Sequence, residues 1–311
     1  MSPNLAALRR RLAVRGLTPA SAVPESSGGR TEEACIRPAR LVEDASLRCR
    51  PVGNAESWPD PLAFLDGVQR MHLVAYAGAA PIYVAEIAAA VRERREARLR
   101  TVVEDRRRVA IARPCALGAA GDALEGLATL GLPEDEPPHP VRDLTQASRA
   151  LDRARGQLEL DLGRRFRRGS DSWLLVDGSL AESPVWATDP RTIGVSKSHA
   201  TLPFDGEELN LYLRLPAGHR TSIFAPQSRS VAPVHAWALR LWDWETKDLF
   251  HGLVRIEVAP ANGVPATADL ISRRLLAERA PISTPDPRWD RLLYGIHSVE
   301  QYLRAHAGAL A

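Results

Sequence analysis

The sequence predicts a mixed α/β or α+β fold, a β-sheet with helices packed on it. Three observations predict it. Short apolar runs that read as strands recur on both sides of one long amphipathic helix. The chain then closes on two further helical patterns. Of the 311 residues, 45% are hydrophobic and 25% charged, which supports a sizeable core rather than disorder.

Taken in order, Asn4 to Arg15 alternates Leu, Ala and Arg at helical spacing and reads as a short basic amphipathic helix. Pro19 to Thr31 is rich in Ser, Gly and Pro and reads as a flexible linker. The stretch on to Pro61, with Pro38, Pro51 and Pro59, reads as irregular. Ala63-Phe64-Leu65 then begins a strand that passes Asp66-Gly67 and continues from Val68 to Tyr76, and Pro81 to Val84 reads as another. Ile87 to Arg100 has a helical pattern with a basic end at Arg92, Arg94, Arg95, Arg98 and Arg100. Val109 to Ala112 is a short strand and Glu134 to Pro140 an acidic, proline-rich loop. Thr145 to Arg168 is the clearest helix: Leu151, Leu158, Leu162 and Phe166 form one stripe, Thr145 suits a cap, and Arg164, Arg165, Arg167 and Arg168 suit the negative end of the dipole. Trp173 to Val176 is a continuous apolar run, expected as a buried central strand ending in Asp177-Gly178-Ser179. Strands follow at Thr192 to Lys197, Leu209 to Leu215, Val234 to Trp242 and Leu249 to Val258, then helices at Thr267 to Arg279 and Arg288 to His306.

The formal net charge of +3 permits contact with a polyanion without demanding it. Cys35, Cys49 and Cys115 show no paired spacing, so neither a disulfide framework nor a structural zinc site is expected, and a reducing cytoplasm is the simplest setting. Arg9, Arg10, Arg11 and Arg15 interrupt the first stretch, no secretory leader is expected, and no run has the length to cross a bilayer. There is no phosphate-binding glycine loop, dinucleotide fingerprint or zinc-protease helix motif. Asp177-Gly178-Ser179 hints at a serine hydrolase with Ser179 and His297, but no nucleophile elbow frames it.

Two Asp-Gly pairs sit at the ends of apolar strands, Asp66-Gly67 and Asp177-Gly178. Each alone is also a common turn. Together they suggest a carboxylate site, because an acid at the end of a central strand is costly to bury unless it is paired or holds a cation. Glu159 lies about 60° from the centre of the apolar stripe on its helix, so it can point towards a strand end or pair with Arg155 one turn back. Lys197 ends a strand and could neutralise a phosphate beside carboxylates, or lie on the surface. In the last helix Asp290, Tyr294, His297 and Gln301 form a polar row that suits a metal ligand, a proton shuttle or an ordinary exposed face. Trp242 and Trp244 share a face if their segment is a strand, which suits core packing and also base stacking.

The order of these pieces is similar to the NurA family of DNA-end-processing nucleases, over roughly Phe64 to the C-terminus. The matching pieces are Asp66-Gly67, the helical Glu159, Leu175-Val176-Asp177-Gly178-Ser179-Leu180, Ile193-Gly194-Val195-Ser196-Lys197-Ser198, Leu253-Val254-Arg255-Ile256-Glu257 and Ile296-His297. The resemblance implies an RNase H-like mixed sheet with flanking helices, a metal-dependent site taking Mn²⁺ or Mg²⁺, and exonuclease or endonuclease action on DNA. It also implies a homodimer and a HerA-type hexameric ATPase partner. By position it makes Asp66, Glu159, Asp177 and His297 metal ligands or their neighbours, with Lys197 on a phosphate. The family carries a Tyr-Pro pair ahead of that His, where this chain has Trp289-Asp290; Tyr294, one turn from His297, is a substitute within reach. On this reading residues 1-60 are an N-terminal basic helix and flexible linker region, and residues 61-311 a NurA-like nuclease domain. The alternative is a DNA-end-binding or adaptor subunit that keeps the fold and cuts poorly.

Overall fold

The computed structural model describes residues 5–19, 34–59, 61–96, 98–227, 232–244, 249–279 and 293–306. The expected Pro19 to Thr31 linker lies almost wholly outside these, as do Trp289 and Asp290. Eight strands position the site: β1 (Leu62–Ala77), β2 (Ala80–Arg95), β3 (Arg98–Ala112), β4 (Ala128–Gly131), β5 (Trp173–Asp177), β6 (Thr192–Ser196), β7 (His235–Arg240) and β8 (Leu253–Val258). They belong to one 13-stranded sheet with the order β7-β8-β6-β5-β1-β2-β3-β4 through its middle. β1, β2 and β3 pair antiparallel as long hairpins, while β1, β5 and β6 run parallel. β8 runs antiparallel to both β6 and β7. This is the large mixed sheet with flanking helices that the sequence led us to expect.

Helices cover both faces. Among α1 (Leu5–Val14), α2 (Pro114–Ala120), α3 (Pro140–Arg167), α4 (Pro184–Thr188), α5 (Gly206–Leu213), α6 (Pro265–Glu278) and α7 (Tyr294–Ala305), α3 takes one face and α6 and α7 the other. Strand alternation sorts the side chains. Phe64, Leu175 and Val195 join Ile271, Leu275, Ile296 and Val299 in one core, whereas Leu65, Leu174 and Val176 join Leu151, Leu158 and Leu162 in the other. The predicted stripe of α3 is therefore its buried face. No described helix is long and apolar enough to cross a membrane.

Four sequence expectations are corrected. Ile87 to Arg100 is strand, not helix: it forms the end of β2, a turn with Glu96 at φ 51°, and the start of β3. Its Ala, Glu and Arg favour a helix locally, but β2 is paired on both edges and buried on both faces, so tertiary context wins and no alternation survives to be read. Leu209 to Leu215 is mostly helix α5, not strand; its leucines alternate, yet Glu207 and Glu208 occupy the first turn, where the helix dipole favours acids. α3 starts earlier than Thr145, at Pro140, and its cap is His139, whose Nδ1 accepts from Arg142 N. Residues 34 to 59 are not irregular throughout: Cys49–Pro51 pairs with His219–Thr221, and Arg40–Leu41 with Phe224–Ala225. Buried Arg220 ties that segment down by donating to Glu43 (2.7 Å) and Asp269 (2.6 Å).

The start of α3 is fixed by a buried ion pair. Arg113, at the end of β3, donates from Nε and Nη2 to Asp143, both at 2.8 Å. We expect Arg113→Met to lose roughly 3–5 kcal/mol in urea denaturation, because it strands a buried carboxylate, and Arg113→Met with Asp143→Leu to recover most of the loss. A single variant within about 1 kcal/mol of wild type would contradict this role.

Beyond β6, the His199 ring stacks on Phe250 at 5.0 Å and donates from Nε2 to Leu253 O. Burial pushes its pKa down to about 4. From about pH 6.5 down to about 4 the unfolded chain takes up a proton that the folded chain refuses, so stability falls as pH falls through that window. His199→Phe should flatten the loss between pH 7 and about 5 in urea melts; an unchanged pH slope would show that His199 does not titrate in this way.

Candidate active site

The parallel pairing of β1 with β5 stops at Leu65 opposite Val176, so Asp66 and Asp177 follow abreast at the end of the paired segment. Past that point β1 runs on to Ala77 without β5 beside it. By alternation Asp66 and Asp177 share the face of Phe64 and Leu175, the face covered by α7. Lys197, just past the end of β6, has the parity of Val195 and reaches the same face; its Nζ lies 2.9 Å from Asp177 Oδ2.

The turn after Asp177 is tightly held. Gly178 has φ 129°, a conformation that side-chain-bearing residues rarely adopt. Gly194 lets this turn lie close on β6, since a Cβ there would meet Gly178 O at 2.8 Å and Leu180 Cγ at 2.9 Å. Buried Glu257 accepts from Ser179 Oγ (2.7 Å) and Leu180 N (2.8 Å) and is itself paired with Arg255. The Ser179 hydroxyl is thus committed to a carboxylate, and no histidine contacts it, so the serine hydrolase reading has no support here. Glu257 was not singled out from the sequence; its signal is a lone acid in the apolar run Leu253 to Val258.

Glu159 arrives from the other side of the sheet. Its carboxylate lies beside Gly67, where an added Cβ would land on Glu159 Oε1 and stand 3.0 Å from its Cγ. It is buried and pairs with Arg155, as the spacing allowed. Arg155 also donates to Gln69 Oε1 (3.1 Å), and Gln69 donates to Asp152 (2.8 Å). His297 packs along α7, with Nδ1 3.5 Å from Glu300 Oε2; Arg304 holds Glu300 from one turn further on. Glu300 lies in the field of Lys197 and was not picked out from the sequence. Tyr294 is largely exposed at the first residue of α7. The structure therefore gathers Asp66, Asp177 and Lys197, sets Glu159 against Gly67, and pairs His297 with Glu300.

The charges are strongly coupled. Burial lifts the Asp66 carboxyl well above the usual carboxylate range, and the neighbouring charges of Asp177 and Glu159 add to the rise; Lys197 and the Gly67 N–H oppose it. Burial works against the Lys197 ammonium, but Asp177, Asp66 and Glu300 outweigh it and raise its pKa. Burial likewise opposes the Arg155 charge, and Glu159, Asp66 and Asp152 outweigh it. Two acids that repel in a buried site are relieved by added positive charge, and carboxylate oxygens are the ligands that Mg²⁺ and Mn²⁺ take. The donor chemistry therefore fits such an ion. Lys197 and Arg155 now occupy oxygens of Asp177 and Glu159, and among the described residues no three His, Cys, Asp or Glu side chains stand as a ready ligand group.

A cleft of about 560 Å³ opens beside the acids, lined on one side by α3 and on the other by the turn from Asp177 to Ser183 and by Trp186. Of the basic residues at the end of β2 and start of β3 and at the end of α3, Arg98, Arg100, Arg164, Arg165 and Arg168 are exposed, whereas others are engaged within the protein. Arg92 donates to Ser298 Oγ (2.9 Å), Arg94 pairs with Glu278 (2.7 Å) and Arg167 with Asp189 (2.7 Å). Trp242 and Trp244 lie past the end of β7, so the shared strand face does not arise; Trp242 packs against the core under Arg279, and Trp244 is near Arg214.

The fold is similar to that of a NurA nuclease. The crystal structure of the NurA nuclease from Sulfolobus solfataricus matches with a TM-score of 0.50 at 10% identity, over 86% of this chain and 81% of that one. The catalytic domain of human endonuclease V aligns over 98% of this chain and 97% of that one at 15% identity, with a TM-score of 0.35, too low to equate the folds. No family model and no curated protein sequence matches the chain. At 10% identity the likeness to NurA is one of fold.

Two glycines test the geometry. In Gly67→Ala the new methyl meets Glu159, which is buried and paired with Arg155, so overpacking there should cost about 1–3 kcal/mol. In Gly295→Ala it meets the ring of Phe64, with Cδ1 at 2.5 Å. Overpacking there should cost about 1–3 kcal/mol. Thermal melts in which either variant matches wild type would contradict this placement.

Proposed function

We propose that the chain is a nuclease that hydrolyses phosphodiester bonds in DNA with the help of a divalent cation, Mn²⁺ or Mg²⁺. The observation that carries the proposal is the pair of carboxylates, buried Asp66 and half-buried Asp177, abreast where the parallel pairing of their strands ends in a NurA-like fold. Asp66, Asp177 and Glu159 would hold the ion, with His297 completing the set. When bound, such an ion supplies Lewis-acid charge at the phosphate and makes water a better nucleophile near neutral pH. Asp66, whose carboxyl burial lifts well above the usual carboxylate range, would be one of the residues that hold the ion. Lys197 Nζ, now on Asp177, is placed to turn to a phosphate oxygen once Asp177 has another partner. Arg155 stands in the same relation to Glu159. Glu300 Oε2 stands 3.5 Å from Nδ1 of His297, which makes no hydrogen bond among the described residues. Resemblance extends the proposal to a homodimer that works with a HerA-type hexameric ATPase in DNA end processing.

One observation favours a second reading, a subunit of the same fold that binds DNA ends and cuts poorly. Lys197 and Arg155 neutralise the acids without any added ion. DNA binding that needs no metal and gives no turnover would identify it.

The purified protein should degrade DNA with Mn²⁺ and stop in EDTA. Asp66→Ala and Asp177→Ala should each lower the rate about 1,000-fold, several kcal/mol of transition-state stabilisation. If both variants cut like wild type, the assignment of these acids is wrong.

A further inference from the structure

One face of α3 carries Arg149, Arg153, Gly156 and Leu160, at helical spacing, and all four line the cleft that leads to Asp177. Gly156 stands in the middle of a 28-residue helix, where glycine is among the poorest residues. Packing accounts for the other glycine of this helix: a Cβ on Gly163 would lie 3.1 Å from Trp186 Nε1 and 3.3 Å from Leu65 Cδ2. It does not account for Gly156, because an added Cβ there meets nothing within 4 Å. Backbone conformation does not account for it either, since its φ is not in the left-handed region.

The charges of the cleft point to what fills the space. Each acid of its lining has a partner within the protein: Asp152 has Gln69, Glu159 has Arg155, Asp177 has Lys197, and Glu182 is also engaged. Arg149 and Arg153 are exposed and have no hydrogen-bond or ion-pair partner among the described residues. The cleft therefore offers two unspent cations one helical turn apart, then a bare stretch of helix backbone, then the acids.

We propose that this stripe is the track of the substrate strand, with a nucleic-acid backbone held through its phosphates by Arg149 and Arg153 and crossing α3 closely at Gly156. The proposal rests on the nuclease reading and names the path by which the strand reaches that site.

The test is fluorescence anisotropy in EDTA, which prevents turnover, with short labelled single strands of DNA and of RNA of one sequence. Gly156→Ala should raise Tm by about 2 °C, since it improves the helix and clashes with nothing. Gly156→Leu should weaken binding about tenfold or more, by blocking the crossing point. Arg153→Gln should weaken binding and lower the slope of log affinity against log salt by about one. DNA and RNA should lose affinity by the same factor, because phosphate is what the stripe contacts. Binding by Gly156→Leu and Arg153→Gln equal to wild type, in a protein that still cuts DNA, overturns the track alone. Should Gly156→Leu fail to fold, a full-strength salt slope in Arg153→Gln overturns it. Absence of any strand binding by the wild-type protein overturns the track and the nuclease reading together.

Discussion

The buried carboxylate of Asp66, set beside Asp177, is the constraint on which the candidate site depends. Parallel pairing sets the two side by side and then ends, so neither can retreat along its strand. A buried carboxylate without compensation is expensive, and a second acid beside it adds to the cost. The surroundings answer with cations and donors at fixed positions: Lys197 from the end of β6, the Gly67 N–H from β1, and Arg155 on Glu159 from α3. Each sits on an element buried on at least one face, so the compensation is as rigid as the sheet.

The scaffold serves that rigidity. β2 is buried along almost its whole length between two cores and binds β1 to β3. α3 is anchored at its start by Arg113–Asp143 and docked along its stripe, which leaves its opposite face free to form a cleft wall. The Asp177 turn is locked by Glu257 on β8, the strand next to β6. Acids held in this way are destabilising for the fold and useful for a site, which is the balance expected where strain has a purpose.

Much of this was legible in the sequence. Asp177 at the end of an apolar strand, the stripe of α3 and the Lys after β6 were visible as local patterns, because an end-of-strand acid and a 3.6-residue period do not depend on distant partners, whereas Asp66-Gly67 lies inside β1 rather than at its end. The two longest misreadings have opposite causes. Ile87 to Arg100 contains good helix formers that only pairing on both edges turns into strand; Leu209 to Leu215 has a strand-like alternation that an acidic first turn overrides. Glu300 escaped notice, and Glu257 stood only as part of a matching segment with no role, because their meaning lies in Lys197 and Ser179, far off in the chain. The same holds for Arg92, Arg94 and Arg167: a basic cluster in the sequence does not reveal that its partners are Ser298, Glu278 and Asp189.

The most direct test of the central claim is a crystal soaked in Mn²⁺ and measured at the manganese absorption edge. The account expects an anomalous peak within bonding distance of both Asp66 and Asp177, with Lys197 displaced from Asp177 Oδ2. Full-strength diffraction with no peak there, and with Lys197 still on Asp177, would contradict it.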